Sequence, residues 1–210
     1  MILFVTSSDD NTLPNFEIIK QIQQKPNYLQ VFAMDATKIN FVRTTSYHKD
    51  KNIFIASHGS FDRIVCNNET EYILTSDCAA INDRKIFVYA CKTGLGFGKI
   101  ISIKNNIYFG YLESIHALEC RYGLNFLYAR LFSYILDNLP NIIDLQSAIN
   151  LIETLKNVAE EVTNEIETRG IEDLGIYKSL RDIWRLLTVW YNGENHHPFY
   201  DQMVVYPELL

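Results

Sequence analysis

Two dipeptides in this chain carry residue types from which covalent chemistry is built, His58-Gly59 and Ala90-Cys91. A thiol is a strong nucleophile only as the thiolate. With an ordinary pKa near 8.5, a free cysteine is about 3% ionised at pH 7. An imidazole beside it takes the thiol proton and later returns it to a leaving amine, so Cys with His is a pairing suited to acyl transfer. Gly59 adds a separate capacity. Without a Cβ it lets a substrate approach the backbone, and its N–H, with that of Cys91, can face a developing oxyanion. A core thiol and an ordinary strand-end histidine also account for these residue types.

The elements that would position the pair are legible on its N-terminal side. The runs at 51–57 and 84–89 are short, apolar and rich in β-branched and aromatic residues. That texture is expected of strands covered on both faces. If the two are parallel neighbours, their carboxyl ends share one sheet edge about 5 Å apart, where open α/β sheets bind ligands. Further strands are expected at 1–7, 28–34, 106–112 and 202–206, and a hairpin at 63–66 and 72–75. Helices are expected at 15–24, 115–139, 142–168 and 172–191, the last carrying both tryptophans. Gly170 is a stop for the third of these, and 35–50 reads as a short helix and loop. The pattern predicts an α/β fold, a mainly parallel sheet flanked by helices. It is read as one domain over 1–210, with a helical insertion at 142–191 before the last strand.

Composition narrows the partners. With 210 residues, 48% hydrophobic and 21% charged, the chain has the make-up of a globular domain. A net charge of −6 without a basic stripe argues against nucleic acid as the principal partner. No run of about 18 apolar residues occurs, so no membrane span is expected. The first ten residues lack a basic n-region, and no secretory signal is expected. Cys66, Cys78, Cys91 and Cys120 show no C-x-x-C or metal-like spacing, which fits free thiols in a reducing cytoplasm. No cofactor and no metal is implied.

The segment 53–114 resembles the caspase-like cysteine peptidases, and within them the CHAT family. That family shows an apolar strand ending in His-Gly, a short β-excursion, then an apolar strand ending in Ala-Cys-x-Thr or Ser-Cys-x-Thr. Here these are Ile53-Phe54-Ile55-Ala56-Ser57-His58-Gly59-Ser60 and Ile86-Phe87-Val88-Tyr89-Ala90-Cys91-Lys92-Thr93-Gly94. A looser likeness covers Ile107 to Leu112, the helix with Phe126, Tyr128 and Phe132, and Met203 to Pro207. The resemblance implies a caspase-like fold and a cysteine endopeptidase with His58 as base and Cys91 as nucleophile. It implies a protein or peptide substrate, and latency until a regulatory protein partner of a defence or cell-death pathway acts. The chain departs from the family in two places. Only 96–104 is available for the helix after the cysteine, which bears on cleft shape. The longer insertion at 142–191 suggests a regulatory or partner-binding face. The alternative is a catalytically silent caspase-like interaction module, with the long helices as its working surface.

Relatives differ in the acid or base that lines the first substrate pocket. Asp62, Asp77 and Glu113 are the candidate acids here, and a carboxylate among them would favour cleavage after a basic residue. Each also reads as an ordinary surface carboxylate. Gly94-Leu95-Gly96-Phe97-Gly98-Lys99 departs from a phosphate loop, because Thr93 stands at the first glycine position and Ile100 follows Lys99. A flexible loop beside the cysteine is expected instead. His196 and His197 are expected in a solvated loop before Pro198, and Glu160, Glu161, Glu165 and Glu167 on a solvated helix face.

Overall fold

Runs such as Ile2-Leu3-Phe4-Val5 and Ile53-Phe54-Ile55-Ala56 have no polar side to offer water, so they are stable only as strands packed on both faces. A computed structural model of the protein describes residues 1–22, 27–118 and 121–200. Its strands are Ile2–Val5 (β1), Leu29–Phe32 (β2), Ile53–Ala56 (β3), Arg63–Val65 (β4), Tyr72–Leu74 (β5), Lys85–Tyr89 (β6), Ile107–Tyr111 (β7), Leu187–Tyr191 (β8) and Glu194–His196 (β9). Its α-helices are Leu13–Ile22 (α1), Lys38–Tyr47 (α2), Phe97–Ser102 (α3), Asn125–Asn138 (α4), Leu145–Thr168 (α5) and Leu174–Arg185 (α6). Among the described residues, seven strands form a mixed, mostly parallel sheet in the order β2-β1-β3-β6-β7-β8-β9. Strands β2 to β7 of that sheet are parallel, and β8 and β9 close it antiparallel. β4 and β5 form a separate hairpin.

The two-residue side-chain period divides the sheet into two dry faces. Leu3, Val5, Phe54, Ala56, Phe87, Tyr89, Phe109 and Tyr111 pack with α1, α4, α5 and α6. Ile2, Phe4, Ile53, Ile55, Ile86, Val88 and Tyr108 pack with α2, α3 and the hairpin. Phe54, Phe87 and Phe109 stack side by side across β3, β6 and β7, with ring centroids 5.7 and 5.6 Å apart. Truncating such a ring to alanine costs about 3–5 kcal/mol. The row therefore fixes the register of the two strands that carry His58 and Cys91.

Helix ends follow local chemistry. Thr37 caps α2, so the polar segment 35–50 holds a short helix of nearly three turns followed by loop, as expected. Asp144 and Ser147 form a reciprocal cap that starts α5, and Gly170 at φ 70° follows its end. No described helix is long and apolar enough to cross a membrane.

Three expectations are corrected. The helix expected over 115–139 begins only at Asn125, because Tyr122 and Gly123 both take positive φ (59° and 67°) and break the turn before it. Residues 115–118 are therefore irregular chain. The helix expected to carry both tryptophans ends at Arg185 with Trp184. Trp190 lies on β8, antiparallel to β7. Leu187-Thr188-Val189-Trp190-Tyr191 is a β-branched and aromatic run, and Asn192-Gly193 (φ 51° and 81°) makes the two-residue turn into β9. The insertion is thus α5 and α6, and sheet resumes before 191. His196 ends β9, while His197 donates from Nε2 to the Arg185 carbonyl, 2.8 Å away, rather than lying in a solvated loop. The strand expected at 202–206 lies outside the described residues.

Candidate active site

β3 and β6 are parallel neighbours in the register Ile53↔Ile86 to Ala56↔Tyr89, and the ladder continues with Ser57 N donating to Tyr89 O at 3.2 Å. Two residues further along, His58 and Cys91 occupy corresponding positions at the carboxyl edge. Both line one open cavity of about 250 Å³, together with Asn11, Thr12, Asn15, Ser57 and Tyr89, closed on one side by Ile115 and Ala117. Gly59 fits against the cysteine turn so closely that a Cβ there would lie 2.7 Å from Thr93 Cγ2, 2.8 Å from Ala90 Cβ and 3.0 Å from Cys91 O. The glycine is thus required by close approach. Ser60 N–Arg63 O and Val65 N–His58 O bonds flank Gly59, so its own N–H faces away from the hairpin.

A third participant comes from the turn between β1, the other neighbour of β3, and α1. His58 Nε2 lies 2.5 Å from Asp9 Oδ2, with about a third of each side chain exposed. The other carboxylate oxygen, Oδ1, accepts the backbone N–H groups of Asn11 and Thr12 and the Thr12 hydroxyl. Burial pushes the Asp9 carboxyl up, but the hydrogen bonds from His58, Thr12 and Asn11 outweigh it and hold the group below its ordinary 3.8. An ionised Asp9 fixes the His58 proton on Nε2 and leaves Nδ1 as the basic nitrogen. Sequence reasoning missed Asp9. Its signal was Asp9-x-x-Thr12 ahead of an apolar helix, a helix-start pattern on a strand that proves to adjoin β3.

The chain turns sharply after Cys91, with Lys92 at φ 58° and its N–H bonded to Glu113 O. Cys91 is half-buried, and its thiol donates to the Ile115 carbonyl at 3.8 Å, a weak bond. The glycine-rich stretch that follows is packed rather than flexible. Gly94 N donates to Tyr111 O, Trp190 Nε1 donates to Gly94 O at 2.6 Å, and the Tyr108 hydroxyl donates to Thr93 O. A Cβ on Gly98 would lie 2.4 Å from the Trp190 ring. The glycines let this turn sit against β7 and β8.

The expected acids do not line the cavity. Asp62 is exposed and paired with Arg63 at 2.9 Å. Asp77 pairs with Lys38 at 2.9 Å and accepts the Leu74 N–H. Glu113 is exposed and lends only its backbone carbonyl to Lys92. Cys66 and Cys78 are buried, and burial raises their pKa to about 11 and about 12. Cys120 lies outside the described residues. Among the described residues, no group of three His, Cys, Asp or Glu side chains gathers in a form that could hold a metal ion. No protein-family model matches this chain, and none of the curated proteins does.

Proposed function

We propose that the chain is a cysteine endopeptidase of caspase-like fold, akin to the CHAT family, acting through Cys91 and His58. The observation that supports it best is an imidazole held by a carboxylate, in the same cavity as a half-buried thiol, at the carboxyl edge of adjacent parallel strands.

In this reading His58 Nδ1 takes the Cys91 proton, and Sγ attacks the scissile carbonyl carbon. The oxyanion so formed is met by the Gly59 and Cys91 N–H groups. His58 passes the proton to the amine, the C–N bond breaks, and a thioester remains. Water then loses a proton to His58 and attacks the thioester. The acid departs and the proton returns to sulfur, so the enzyme is restored. Asp9 touches no reacting atom. It positions the ring and stabilises the imidazolium. The substrate is a protein or peptide. Latency under a protein partner rests on the family resemblance alone.

The test is incubation of the full chain with a proteome-derived peptide mixture, reading new N-termini by mass spectrometry. The wild type is expected to create them, and Cys91→Ala and His58→Ala, folded as judged by urea unfolding, to create none. Equal cleavage by Cys91→Ala refutes the reading.

A further inference from the structure

Residues 115–118 leave the carboxyl end of β7 as irregular chain and form one side of the Cys91 cavity, through Ile115 and Ala117. Ala117 and Asn11 also line a neighbouring cavity of about 340 Å³, so this side is a thin wall between two open spaces. No strand ladder holds it. Among the described residues, the segment makes two hydrogen bonds. Cys91 Sγ donates weakly to Ile115 O, and His116 donates from Nδ1 to Asp182 Oδ2 at 2.8 Å. Leu118, fully buried, pins the far end.

Asp182 is a firm anchor. It lies on α6 with its side chain 6% exposed, and the carbonyl of the next residue, Ile183, accepts the buried Tyr111 hydroxyl of β7 at 3.0 Å. His116 is 46% exposed and lines the neighbouring cavity rather than that of Cys91. Its ring thus supplies a donor to a buried carboxylate, a group that is costly to leave unpaired.

We propose that His116 is a positioning residue for peptide binding: bonded to Asp182, it sets Ile115 and Ala117 as the wall against which a substrate lies beside Cys91. The proposal rests on the peptidase reading and deepens it. His116 is the chain neighbour of Ile115 and stands one residue before Ala117, so fixing its ring on α6 fixes both wall residues. The ordering of the wall is then complete before a peptide arrives, which raises affinity without altering the atoms that make and break bonds.

The test first selects, from peptidyl acyloxymethyl ketones with Arg, Asp, Gln or Leu next to the ketone, the one that labels Cys91 of the full chain fastest. Its inactivation kinetics are separated into a binding constant and a maximal rate, beside alkylation by iodoacetamide, which is too small to need the wall. His116→Ala is expected to weaken probe binding about tenfold, with the maximal rate and the iodoacetamide rate changed less than about threefold. His116→Asn places an amide N–H close to the position of Nδ1 and should restore binding to within about threefold. His116→Ala joined with Asp182→Asn removes the buried charge, so stability to urea should recover while probe binding stays weak. That double variant also decides the matter if His116→Ala alone fails to fold. Probe binding that recovers together with stability marks a merely structural pair and overturns the proposal. Unaltered binding in His116→Ala, or affinity and maximal rate falling together, overturns it too. In each case the wild type still forms the adduct, so the peptidase reading survives. No adduct at Cys91 of the wild type with any probe overturns the peptidase reading and the proposal with it.

Discussion

Gly59→Ala is a small change with a large expected effect. The added methyl would sit 2.7 Å from Thr93 Cγ2 and 2.8 Å from Ala90 Cβ, roughly 0.7 Å inside ordinary van der Waals contact. Thr93 cannot swing aside freely, because its Oγ1 donates to Ala90 O at 3.0 Å and its carbonyl accepts from Tyr108 and Gly98. Overpacking of this kind costs about 1–3 kcal/mol. In a domain of this size that corresponds to a Tm lower by roughly 2–12 °C. The displaced segment carries Cys91, and a misplacement approaching 1 Å lowers reactivity by about 10²-fold. Calorimetry and Cys91 alkylation by iodoacetamide read the two effects. Thr93→Ser keeps the hydroxyl and deletes Cγ2. The double variant should thus recover about 1 kcal/mol relative to the sum of the singles. An unchanged Tm with unchanged alkylation in Gly59→Ala would refute the proposed packing of the two dipeptides.

Other consequences concern the groups that hold the site. Asp9→Asn keeps an oxygen for the Asn11 and Thr12 N–H groups but removes the anion behind His58, and peptide cleavage should fall about 10- to 100-fold without loss of fold. Because folded Asp9 sits below 3.8, its contribution to stability is full above that pH and drains away as the pH falls through the folded value. Urea unfolding at pH 6 and pH 3 should therefore show a smaller pH dependence in Asp9→Asn than in the wild type. Trp190→Phe removes the donor to Gly94 O and should destabilise the fold by about 1–3 kcal/mol. Hydrogen exchange should speed at the Gly98 amide, which bonds Thr93 O across the same turn.

Strands β1, β3, β6 and β7 were legible because their runs are almost wholly apolar, and the positions of His58 and Cys91 followed from the ends of two such runs. What the sequence could not supply was strand order. Asp9 became visible as a partner of His58 only once β1 proved to lie beside β3, with β2 outside it. The helix expected to reach Tyr191 failed for a local reason that was present in the sequence. Asn192-Gly193 is a hairpin turn, and the five residues before it prefer an extended chain. The glycines of 94–98 looked like flexibility because their packing partners, Tyr108 and Trp190, lie on β7 and β8, distant in sequence.

The central proposal is that Cys91 is a nucleophile served by His58, which lines the same cavity. Iodoacetamide at pH 7, with each cysteine of the native chain quantified by mass spectrometry, tests this most directly. Cys66 and Cys78, with pKa values of about 11 and 12, carry thiolate in no more than roughly one molecule in 10⁴. Cys91 is expected to react at least 100-fold faster than either, and His58→Ala to slow Cys91 alone by tenfold or more. A Cys91 rate that matches an ordinary exposed thiol, or that ignores the loss of His58, would contradict the account.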